Sequence, residues 1–122
     1  MAIGQIVKLS KGTATVGGNT VDVLNVDAAT ALTDTAIGIV VKGGNEGESV
    51  QVCTHGPCKV QSSGTSVAAD TWFGATTSGR AQTVATGGTF GTKAVGITLE
   101  ATGTTAGALK FVYVNPSLIA AN

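Results

Sequence analysis

An all-β fold is what this sequence predicts: a compact β-sandwich or small β-barrel of short antiparallel strands, with extended terminal arms. Three observations carry that expectation. β-Branched residues alternate with polar ones in many short runs. Gly, Asn and Ser break the runs at intervals of ~8–12 residues. No amphipathic helix of useful length interrupts the pattern. The 122 residues suit one domain, and a chain of this size buries roughly two-thirds of the surface it exposes when unfolded. It needs no metal or disulfide framework merely to fold.

The runs fall in order at residues 5–9, 20–26, 36–42, 49–54, 59–61, 80–84, 94–100 and 109–114. In the second, Val21 and Val23 point one way and Asp22, Leu24 and Val26 the other. Val50 and Val52 flank Gln51, and Val112 and Val114 flank Tyr113. Turn chemistry separates the runs: Gly17-Gly18-Asn19, Gly43-Gly44-Asn45, Gly56-Pro57, Ser78-Gly79 and Gly87-Gly88. Residues 66–70 can form one helical turn, as can the tail after Pro116. Residues 36–42 (AIGIVVK) echo residues 94–100 (AVGITLE), which predicts two related strands, each with Gly where another strand approaches closely. Residues 1–19 form an N-terminal arm and first strands, 20–114 the β domain, and 115–122 a C-terminal arm. Ile3 and Ile6 at one end, and Leu118 and Ile119 at the other, are the apolar arm residues expected to dock on a partner, with cover for the domain's own core as the alternative for Leu118 and Ile119.

Composition narrows the function. Charged residues are 11% of the chain, against ~25% in an ordinary domain, and seven acids balance seven bases. Disorder is a poor explanation, because disordered chains combine low hydrophobicity with high charge. A weakly charged surface rich in Thr, Ser, Gly and Ala reads as one covered by neighbours, and a net charge of zero gives a free monomer little colloidal protection. Bulk charge offers no attraction to nucleic acid or to an anionic membrane. The basic residues scatter without interleaved aromatics, so neither partner is expected. No apolar run nears the ~20 residues of a membrane span, and the N-terminus lacks a secretory pattern, which places synthesis in a cytoplasm.

Chemistry has little to stand on, and the chain is read as no enzyme. Its single histidine, His55, lies in Cys53-Thr54-His55-Gly56-Pro57-Cys58, a turn rather than a catalytic shelf. A structural zinc site would want a second ligand pair, which is missing. Cys53 and Cys58 are read first as free thiols. A disulfide across the turn, stabilising by roughly 2 kcal/mol, is the second alternative, and a three-fold metal site shared by symmetry mates the third. Gly88-Thr89-Phe90-Gly91-Thr92-Lys93 has phosphate-loop ingredients in the wrong order and spacing. The carboxylates form no calcium loop. No cofactor is expected. Trp72-Phe73 reads as core rather than as a stacking platform.

Several segments together resemble small capsid decoration (cement) proteins of tailed bacteriophages. They are Gly47-Glu48-Ser49-Val50-Gln51-Val52, then Gly56 and Lys59-Val60, then Ala69-Asp70-Thr71-Trp72-Phe73-Gly74-Ala75-Thr76-Thr77-Ser78-Gly79-Arg80-Ala81, then Lys93-Ala94-Val95-Gly96-Ile97-Thr98-Leu99-Glu100-Ala101. The resemblance spans residues 20–114. It does not carry the cysteine pair, the first twenty residues or the tail. It implies a β-rich homotrimer on the outer surface of the virion capsid, bridging neighbouring major capsid proteins so that the shell resists internal DNA pressure. The competing expectation is a virion head-fibre or receptor- or glycan-binding β-domain, for which Trp72 and Tyr113 are meagre material.

Overall fold

A computed structural model describes residues 1–45, 47–84 and 93–116. Among these, nine strands form: β1 (Ile6–Val16), β2 (Asn19–Ala28), β3 (Ala36–Lys42), β4 (Gln51–Cys53), β5 (Gly56–Gln61), β6 (Trp72–Thr76), β7 (Arg80–Thr83), β8 (Gly96–Thr98) and β9 (Leu109–Val114). One 3-10 turn, Thr77–Gly79, links β6 to β7. Two antiparallel sheets result, a four-stranded one ordered β2-β1-β3-β4 and a five-stranded one ordered β5-β9-β8-β6-β7. Neither sheet closes on itself, so the barrel alternative gives way to an arrangement compatible with a sandwich.

One apolar cluster joins the sheets. The four-stranded sheet contributes Ile6 and Ile39, and the five-stranded sheet contributes Val60, Phe73, Ala75, Val112 and Val114. Phe73 is the largest fully buried side chain among the described residues. The buried hydroxyls at the rim are satisfied. Thr98 Oγ1 donates to Ala68 O at 2.6 Å and accepts the Thr71 N–H at 3.1 Å, and Thr102 Oγ1 accepts the Val67 N–H at 2.8 Å. These bonds fasten the irregular residues 63–71, where a helical turn was expected, to the end of the sheet.

The echoed segments land in different sheets, on β3 and around β8. Each glycine sits where a neighbouring strand's carbonyl occupies the space of a side chain: Cys53 O beside Gly38, and Tyr113 O beside Gly96. The close-approach reading of the echo therefore has its physical cause.

The N-terminal segment is fastened rather than free. Gly4 N donates to Val40 O in one sheet, and Gln61 N of the other donates to Gly4 O. Gln61 Nε2 reaches Ile3 O at 2.9 Å. Ile6 is fully buried in the chain's own core. That corrects the expectation of a docking residue there, because burying Ile6 between the sheets removes it from any partner's reach.

What projects is the β1–β2 ribbon. β3 pairs with β1 only at Ile6, Val7 and Lys8, while β1 and β2 stay paired out to Val16 and Asn19. Gly17 and Gly18 both have positive φ, at 59° and 82°, the twist a two-residue hairpin turn needs and side chains resist. At ~3.4 Å per residue, the eight residues of β1 beyond Lys8 span about 27 Å, paired with β2 alone.

Candidate protein-binding surfaces

The outer face of the five-stranded sheet is built by alternation. On β9, Val112 and Val114 point into the core, so Leu109, Phe111 and Tyr113 point out. Register then lines up a row across four strands: Trp72 on β6 opposite Ile97 on β8, Ile97 opposite Tyr113 on β9, and Tyr113 opposite Pro57 on β5. Trp72, Phe111 and Tyr113 are 44%, 41% and 40% exposed. Leu99, whose N–H donates to Phe111 O, is exposed beside them. At ~4.8 Å per strand, the Trp72 and Tyr113 backbones are about 10 Å apart. The edge of the His55 ring meets Tyr113 with centroids 5.5 Å apart and planes at 82°.

Aromatic side chains offer roughly 150–250 Å² each. At these exposures the three aromatics present about 250 Å² of apolar surface, and Leu99 and Leu109 enlarge the patch toward 400 Å². Patches of that size on a monomer are commonly functional. Trp and Tyr are also the residues most enriched where binding energy concentrates.

Trp72 corrects the sequence reading. Of the Trp72-Phe73 pair only Phe73 is core, because adjacent strand residues face opposite sides. The face as a whole was missed. Its signal lay in residues 109–114 (LKFVYV), which are apolar on both parities apart from Lys110, so that one face had to be left uncovered by the chain itself.

The four expected arm residues are not brought together. Ile3 is 50% exposed but held by its backbone, and Ile6 is in the core. Leu118 and Ile119 lie outside the described residues. In their place the ribbon carries exposed apolar residues on both faces, with Leu9 and Leu24 on one and Val16 and Val21 on the other. Leu24, at 74%, is the most exposed large apolar residue described. A shallow groove of about 670 Å³ runs beside the base of the ribbon, lined by Leu9, Leu24, Val26, Val50 and Val52 among others.

Both cysteines are free thiols, as first expected. Cys53 lies opposite Ile39 in one sheet and Cys58 opposite Val112 in the other, yet their side chains are in hydrogen-bonding contact. The turn between them is Thr54-His55, and Gly56-Pro57, expected as the turn, opens β5. The Cys53 thiol contacts His55 O at 3.6 Å and Gly56 O at 3.9 Å. Burial, reinforced by Cys53, pushes the Cys58 thiol up to about 12. Among the described residues, no three His, Cys, Asp or Glu side chains gather as metal ligands, and no helix is long and apolar enough to cross a membrane.

Comparison with protein-family models, with curated proteins and with solved structures returned no match.

Proposed function

We propose that this chain is a structural protein that binds the outer surface of a bacteriophage capsid, bridging neighbouring major capsid proteins and stabilising the shell against internal DNA pressure. Its work is mechanical, so rupture of the shell must also break its contacts. Assembly as a homotrimer follows the decoration-protein pattern, because three weak contacts made together act as one strong one. The observation that carries the reading is the Trp72, Phe111 and Tyr113 face, an aromatic patch of the kind that anchors protein interfaces, with the exposed Lys59 opposite Phe111 as its nearest charge.

The test is to mix the purified protein with undecorated shells and sediment them. The protein is expected in the shell pellet, and Trp72→Ala, Phe111→Ala and Tyr113→Ala should each weaken binding about thirtyfold, the effect of losing ~2 kcal/mol at a central anchor. A wild-type protein that stays in solution rejects the capsid reading. Binding that survives all three truncations moves the contact off this face.

One observation favours a second reading, a head-fibre or glycan-binding domain. Trp72 and Tyr113 in one row offer two ring surfaces about 10 Å apart, on which sugar rings can stack. Retention on a glycan array, lost in Trp72→Ala, would bring that reading forward.

A further inference from the structure

Every open sheet has two edge strands, and an unprotected edge is a template for another strand. Among the described residues, three of the four edges are blunted. β4 is only three residues long. β7 is four residues long, and Ala81 within it bridges to Ser62. On β5, Pro57 has no N–H to offer, and Gln61 N is taken by Gly4 O. The fourth edge, β2, runs ten residues without proline or lysine. Among the described residues, β2 pairs with β1 alone.

The register shows which groups that edge presents. Ala29 N bonds to Ile6 O at 2.9 Å, so in the ladder of Val7↔Ala28 through Val16↔Asn19 the odd-numbered residues of β2 exchange bonds with β1. Thr20, Asp22, Leu24, Val26 and Ala28 therefore point their N–H and C=O groups outward. Those five residues are symmetric about Leu24.

We infer that β2 is a self-pairing edge: two copies join antiparallel along it about a two-fold axis at Leu24, fusing their four-stranded sheets into one. In that register all five outward residues of one copy meet all five of the other, making about ten backbone hydrogen bonds, the number found in a typical interface. The most exposed large apolar side chain of the described chain then packs against its own copy on the axis. Leu9 and Val26 extend the same strip, and the residue pairing keeps like charges apart. Asp22 faces Val26 of the second copy, and Asp27 faces its Val21. The contact links copies in pairs whatever else the body binds, and it does not depend on the capsid reading.

The experiment is light scattering on the wild type and on Leu24→Pro, with circular dichroism to confirm folding. The Leu24 N–H points away from β1, so proline removes an outward donor without breaking the ribbon's own ladder. Leu24→Lys is the companion variant, because an edge lysine opposes pairing by charge. Both should halve the wild-type mass, from dimer to monomer or from hexamer to trimer. Leu24→Cys should form a covalent dimer under mild oxidation, since facing residues in bonded pairs lie ~5.5 Å apart at Cα. Val23→Cys should not, because its two copies would be about 8 Å apart. A wild-type monomer, or a mass that neither folded variant changes, overturns the pairing. A cross-link at Val23 in preference to Leu24 overturns the register.

Discussion

Asp34 holds a loop by accepting rather than donating. Its Oδ2 takes the Thr30 N–H at 2.8 Å and the Ala31 N–H at 3.3 Å, and Oδ1 lies 3.4 Å from Lys8 Nζ. These bonds, the one from Thr30 foremost, hold its pKa below the ordinary 3.8. A lowered carboxyl pKa stabilises the fold fully above the unfolded value, and the contribution is lost as pH falls through the folded one. Asp34→Asn should cost about 1 kcal/mol at neutral pH. It should also lose less stability than the wild type between pH 5 and about pH 2. Thermal unfolding at those pH values checks this, and parallel losses in both proteins would remove Asp34 as the titrating group. Cys58 carries the opposite sign. Raised from 9.0 to about 12 by burial, with Cys53 beside it adding to the shift, it should react with iodoacetamide at pH 8 far more slowly than in urea, because the thiolate is the reacting form. Its contribution to stability holds below pH 9.0 and falls away above it, as the unfolded thiol ionises first. Peptide mass spectrometry before and after denaturation reads the rate directly; equal rates would mean that the fold does not shelter Cys58.

At the scale of elements, the most legible strands were apolar runs closed by turn chemistry. β3 and β9 begin and end where the sequence placed them, since Gly43-Gly44-Asn45 stops the first and Asn115-Pro116 the second. β1 was read only to Leu9. Residues 10–16 (SKGTATV) have no apolar stripe to announce a strand, and they pair because the Gly17-Gly18 turn zips them against β2. β6 was absent from the periodic reading because Trp72-Phe73-Gly74-Ala75 is apolar on both faces. It appeared only as part of a resemblance. The candidate surfaces were least legible of all. An exposed Tyr113 and a buried Val112 look equally hydrophobic in a sequence, and only the register that aligns Tyr113 with Ile97 and Trp72 turns separate residues into a patch. Ile6 failed for the converse reason: proximity to the chain start says nothing about burial once the strand beginning there enters the core.

At the scale of the whole molecule, the two sheets are chemically one unit. Ile6 and Ile39 from one sheet share their cluster with Phe73, Val112 and Val114 from the other, and Gly4 bonds to Val40 and Gln61 on opposite sides. A small single domain with one core unfolds in one step, so damage on either sheet should be felt by both. Phe73→Leu is the suited probe. It removes part of the largest buried side chain among the described residues at a cost of about 1–1.5 kcal/mol, which leaves the native state populated. Native-state hydrogen exchange should then show amides of Ile39 and Val112 losing protection by the same factor, about tenfold for 1.4 kcal/mol, although Ile39 lies in the sheet that was not altered. Loss confined to Val112 and its neighbours would mean that the five-stranded sheet opens on its own. A single unit has a functional consequence under the proposed mechanical role. Load entering through Trp72 and Tyr113 on the outer face would pass through the common core to the projecting ribbon, and neither sheet could peel away before the other.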